Sequence, residues 1–187
     1  MLVLASASPR RQDLLRAAGI AFTAQATNIA EDAQPGESAR ACAERLAQEK
    51  AAVLARPELV VLGADTIVVV DGEMLGKPAD ANDVKRMLRM LSGRSHEVIT
   101  GVSLIGPGFV DTRSEETRVF MNPLSDDDIS FYVASGEPMD KAGAYAIQGI
   151  ASRWIRRIEG DYANVVGLPV SLVYRMMREH GVTSGQE

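Results

Sequence analysis

LVLASASPRRQDLL, residues 2–15, joins a short apolar run to the start of a helix, and reading it sets the pattern for the rest of the chain. LVLA has the character of a buried strand. Ser8 is a good N-cap and Pro9 suits the first helical position, so Arg10 and Arg11 fall in the first turn. The free N–H groups of a helix start carry partial positive charge. Cations beside them are disfavoured by a few tenths to about 1 kcal/mol each, unless an anion binds there.

The strand-then-helix order recurs downstream. FTAQATNIAEDAQPGES reads as a strand-like piece and a polar loop, after which Ser38 caps a long helix running to about Ala55. PELVVLGAD is a buried strand expected to end in a loop at Asp65, and TIVVVDGEMLGKP a hairpin around Asp71-Gly72. Asp80 caps a helix with Val84, Met87, Leu88 and Leu91 at helical spacing, stopped by Gly93. Two long strands meet at Gly106-Pro107-Gly108, and Ser125 with Asp128 forms a capping box. A further strand within GAYAIQGIASRWIRRIEG and a last helix in GLPVSLVYRMMREHG complete an α/β or α+β chain with a mixed sheet. Residues 1–187 are read as one domain, with 183–187 a frayed tail.

Composition bounds the function. A chain of 187 residues that is 46% hydrophobic can build a real core. Its net charge of -5 argues against a general nucleic-acid or membrane surface, so any polyanionic partner is small. Cys42 is the only cysteine, which excludes an intramolecular disulfide and fits a reducing cytoplasm. The N-terminus lacks signal-peptide order, and no apolar run approaches the roughly 18 residues of a membrane span.

Absences narrow the chemistry. Only His96 and His180 are present and there is no G-x-S-x-G elbow, which disfavours a Ser-His-Asp hydrolase and a thiolate- or imidazole-rich zinc site. DGEMLGKP is no P-loop, because its glycines are too close and Pro78 replaces the hydroxyl residue that would hold magnesium. Lys77 beside Gly76 is either a loop lysine or a ligand contact. Lys50 falls on the apolar face that Ala43, Leu46, Ala47, Val53 and Leu54 form, where it either snorkels or directs its ammonium into an anion pocket. Asp65 ends a strongly apolar strand, and is either a turn former or a paired or metal-bound carboxylate. Glu31 and Asp32 could join it around a hard cation, or stay solvated. Gln148 offers an amide with both donor and acceptor. Together Ser8, Arg10, Arg11, Lys50 and Lys77 could surround a phosphate chain while Asp65 and Glu31 hold magnesium or activate water, an inventory for phosphoanhydride hydrolysis.

LASASPRR, ERLAQEKA, LGADTIVVVDGEMLGKP, LSGRSHEVITGV, DKAGAYAIQG and GDYANVVGLP, in this order, resemble the Maf family of nucleoside triphosphate pyrophosphatases over nearly the whole chain. The resemblance implies an inosine triphosphatase-like α/β fold with a long mixed sheet and two lobes around a nucleotide cleft. It also implies hydrolysis of a nucleoside triphosphate to the monophosphate and pyrophosphate with a divalent cation, Mg2+ or Mn2+, in a cytoplasmic homodimer. Asp65 matches the family's proton acceptor; Ser8, Arg11, Glu31, Lys50 and Lys77 match its phosphate- and metal-site positions; Arg10, Thr66 and Gln148 match positions tied to substrate choice. DKAGAYAIQG is similar to the branch acting on dTTP and UTP, with Ala146 where that branch often has Gly. The competing expectations are a relative selective for another nucleotide, such as 7-methyl-GTP, and a nucleotide-binding regulator of cell division with little turnover.

Overall fold

A computed structural model of the chain describes residues 1–183; from residue 184 the expected tail lies outside the described residues. The elements are β1 (Leu2–Leu4), α1 (Pro9–Ala17), β2 (Phe22–Ala24), α2 (Ala39–Leu54), β3 (Val60–Val70), β4 (Glu73–Leu75) and α3 (Ala81–Leu91). They continue with β5 (Ser95–Gly106), β6 (Phe109–Met121), α4 (Asp126–Ala134), β7 (Ile155–Glu159), α5 (Tyr162–Val166) and α6 (Val170–Glu179). Three short 3-10 turns separate α4 from β7. The strands pair in the order β2-β1-β3-β5-β6-β7, and β4 adds to β3 as a hairpin. Since β1 is parallel to β2 and β3 while β4 and β7 pair antiparallel, the sheet is mixed, as expected.

Local signals formed where local chemistry demands them. Ser8 accepts from Arg11 N–H, Ser38 from Ala41 N–H, and Asp80 from the N–H groups of Asn82 and Asp83. Ser125 and Asp128 complete their box. Asp71 and Gly72 both take positive φ, the conformation a two-residue hairpin requires, and register Val70 opposite Glu73. Two expectations need correction. β3 does not stop at Asp65 but continues to Val70, because the β-branched run after Asp65 extends the same strand. Val53 is exposed rather than part of the buried face of α2, where Ala51 takes its place.

Among the described residues the chain divides into two compact units, residues 1–66 with 100–115 and those from 167 onward, and residues 67–99 with 116–166. In the first, the strand period of 2 splits the core between the faces of the sheet. Leu2, Leu4, Leu62 and Ala64 pack with Leu15 of α1 and with Leu172, Val173, Met176 and Met177 of α6. Val3, Ala5 and Val61 meet Ala51 of α2 on the other face. In the second, α3 buries Val84, Met87, Leu88 and Leu91 and packs on α4 and the turns that follow it.

Candidate active site

Two glycines set the position of α2. A Cβ at Gly63 of β3 would collide with the backbone of Ala47 and Ala51, and one at Gly101 of β5 with the backbone of Ala43 and Glu44. The bare backbone lets the helix settle directly on the sheet. Asp65 lies two residues beyond Gly63 on the same sheet face, and Lys50 lies one turn beyond Ala47 on the same helix face. The side chains therefore meet. Lys50 Nζ donates to Asp65 Oδ1 at 2.5 Å and pairs with Glu31 Oε1 at 2.6 Å. Lys50 and Asp65 are only 7% and 8% exposed, so neither the snorkelling lysine nor the turn-forming aspartate describes them.

Arg11 answers the question raised by its place in α1. Its side chain folds inward, donating from Nε to the Gly167 carbonyl at 2.8 Å, from Nη1 to Ser6 Oγ at 3.3 Å and from Nη2 to Thr66 Oγ1 at 3.1 Å. All three acceptors are neutral, so the guanidinium is oriented without a carboxylate bonded to it. Burial lowers its pKa, with Asp65 opposing and Arg10 adding to the pull. Thr66 is itself set by Thr100, its hydroxyl 2.9 Å away.

Asp32 contributes its backbone rather than its carboxylate. Its carbonyl accepts from Arg45 Nη2 at 3.0 Å, while Arg45 Nε pairs with Glu37 at 2.8 Å, and this ties the loop carrying Glu31 to α2. The bond from Arg45 brings the Glu37 carboxyl down to about 2. Sequence reading missed Arg45, Ser6, Thr100 and the Gly167 carbonyl. The one local trace was the i, i+4 pair of Arg45 with Glu49.

Lys77 and Gln148 belong to the second unit, both exposed. Lys77 follows Gly76, whose carbonyl accepts from Gly143 N–H at 3.0 Å; a Cβ at Gly143, which has positive φ, would press into Val68. Gln148 lies on a turn five residues further along.

Among the described residues, no three His, Cys, Asp or Glu side chains converge to cage a metal. Asp65 and Glu31 converge on one ammonium, however, and two carboxylate oxygens are a donor set suited to magnesium when phosphates and water complete its shell. The residues fit a hard cation shared with a polyphosphate.

An α/β fold with an oriented arginine and a buried carboxylate–ammonium group defines a protein equipped to meet a small phosphorylated anion. The family profile described as Maf-like protein matches residues 1–180, and the chain belongs to that family. A protein of Koribacter versatilis named dTTP/UTP pyrophosphatase is 54% identical over 97% of this chain and 95% of its own length. Proteins of the same name from Symbiobacterium thermophilum and Escherichia coli O157:H7 are 53% and 48% identical, covering 96% and 94% of this chain and 94% and 91% of their own. Among solved structures, the Staphylococcus aureus Ham1 protein aligns with 96% of this chain and 98% of its own at 13% identity and a TM-score of 0.48. No helix among the described residues is long and apolar enough to cross a membrane.

Proposed function

We propose that the chain hydrolyses dTTP and UTP to the monophosphate and pyrophosphate, removing unwanted or modified pyrimidine nucleotides. The observation that carries this reading is the Lys50 ammonium held between Asp65 and Glu31, in a chain whose relatives bear the name dTTP/UTP pyrophosphatase. A triphosphate competes with these carboxylates for Lys50. Once the ammonium turns toward phosphate, Asp65 and Glu31 would be the residues that hold a divalent cation, magnesium or manganese, which would supply positive charge to the phosphate oxygens.

Asp65 accepts a proton from the attacking water as its oxygen bonds to the α-phosphorus. The bond from that phosphorus to the bridging oxygen breaks, and pyrophosphate leaves with the electron pair. Arg11, already oriented by neutral oxygens, and Lys50 and Lys77 offset the charge that repels the nucleophile. Ser8 adds a cap hydroxyl at the start of α1. Uracil and thymine present an N3–H between two carbonyls, an edge the amide of Gln148 can pair with, assisted by Arg10 and Thr66. The working form is taken as a cytoplasmic homodimer on family resemblance alone, with neither nucleic acid nor membrane as partner.

Pyrophosphate release from dTTP, UTP, CTP, GTP and 7-methyl-GTP, with and without magnesium, tests the reading. Magnesium-dependent turnover with dTTP and UTP ahead is the expected result. Preference for a purine would transfer the chain to a different substrate, and tight binding without turnover would make it a regulator.

A further inference from the structure

Gln148 sits on a turn whose flanks are bound on both sides. The turn closes through Gly149 N–H to the Ala146 carbonyl at 3.1 Å. Two residues before Gln148, Ala146 N–H donates to the Tyr132 hydroxyl at 3.0 Å; two residues after it, Ile150 N–H donates to the Glu137 carboxylate, 3.1 Å from one oxygen and 3.2 Å from the other. Tyr132 joins the two arms by donating to Glu137 Oε1 at 2.7 Å. The tyrosine is anchored in turn, fully buried on α4 and edge-on to Trp154 at 5.4 Å. Gly149 seals the circuit, since a Cβ there would collide with the Glu137 carboxylate. Glycine is needed here for close approach.

We propose that Tyr132 and Glu137 are positioning residues for base selection, holding the turn of Gln148 in the conformation that meets a uracil or thymine edge; this rests on the reading of Gln148 as the base contact. The tyrosine hydroxyl commits its proton to the carboxylate and a lone pair to Ala146, and the carboxylate is left to accept from Ile150. An exposed side chain on an unbraced turn samples many orientations, and ordering it on binding weakens affinity. Bracing both flanks beforehand lowers that cost for the correct base alone, since an incorrect base does not gain the amide contact.

Tyr132→Phe removes the hydroxyl from both arms. Glu137→Gln sets an amide NH2 against either Ile150 N–H or the tyrosine proton. Steady-state kinetics on UTP and CTP, with thermal unfolding to confirm the fold, are measured for wild type, both variants, Gln148→Ala and the Glu137→Gln/Gln148→Ala double variant. Each bracing variant is expected to lower the UTP-over-CTP ratio of kcat/KM about fivefold to tenfold, chiefly by raising KM for UTP. The double variant is expected to match Gln148→Ala alone, because a brace has nothing to position once the amide is gone. Should Tyr132→Phe fail to fold, Glu137→Gln at its half-buried position still decides. A wild-type ratio in the bracing variants while Gln148→Ala loses it would overturn the brace and leave the base contact standing. Equal losses of kcat on both nucleotides would also overturn it, by showing a structural role only. An unchanged ratio in Gln148→Ala would overturn the base contact and the brace with it.

Discussion

Lys50 holds two carboxylates with one ammonium; it and Asp65 lie almost out of water, while Glu31 is exposed. Burying such a group is costly unless every charge finds a partner, and removing one partner leaves the others stranded. The consequences differ at the two ends of the pair. Asp65→Asn keeps the shape of the side chain and loses its charge, so hydrolysis of UTP should fall about 10²- to 10⁴-fold while nucleotide binding persists. Turnover near wild type in a folded Asp65→Asn protein would contradict its role as proton acceptor. Lys50→Met removes the ammonium that Asp65 and Glu31 share. Turnover should drop through loss of phosphate contact, with the defect in kcat, and a fully active Lys50→Met protein would return this lysine to a structural place in the stripe.

Contact between α2 and the sheet is what turns these residues into a group. A methyl at Gly63 would press on the Ala47 carbonyl and the Ala51 backbone nitrogen, neither of which can retreat unless the helix moves. Gly63→Ala should cost about 1 to 3 kcal/mol, read from the urea midpoint, and should lower turnover per folded molecule as Lys50 is carried away from Asp65. Stability and activity both unchanged would mean that α2 is not seated by this glycine. The elements themselves were largely legible because their signals are local: Ser8, Ser38, Asp80 and Ser125 each bond within three residues of themselves. Asp71-Gly72 likewise carries its own turn. The length of β3 was not legible, since a charged residue in mid-strand looks like a strand end until its partner from α2 is known. Candidate site residues were legible as types, through an arginine in the wrong turn of α1 and a lysine in an apolar stripe. Their partners were not. Ser6, Thr66 and the Gly167 carbonyl reach Arg11 across as many as 156 positions, a separation that no periodicity records.

Across the whole molecule, acid sensitivity has an identifiable source in the second unit. His96 is buried, its Nε2 is 2.7 Å from the Tyr145 hydroxyl, and burial lowers its pKa to about 4. The unfolded chain binds that proton near pH 6.5, so the folded state gains its full advantage above this value and loses it as pH falls toward 4. The loss should reach on the order of 3 kcal/mol, and urea unfolding at pH 7 and pH 4.5 should show a shallower decline in His96→Met than in wild type. Equal declines would assign acid sensitivity to carboxylates elsewhere.

The central claim, that the chain directs water to the α-phosphorus of a pyrimidine triphosphate, is met most directly by hydrolysing UTP in water labelled with heavy oxygen and locating the label by phosphorus NMR. UMP carrying the label, beside unlabelled pyrophosphate, is the result expected. Label in pyrophosphate, or products of UDP and phosphate, would contradict attack at the α-phosphorus.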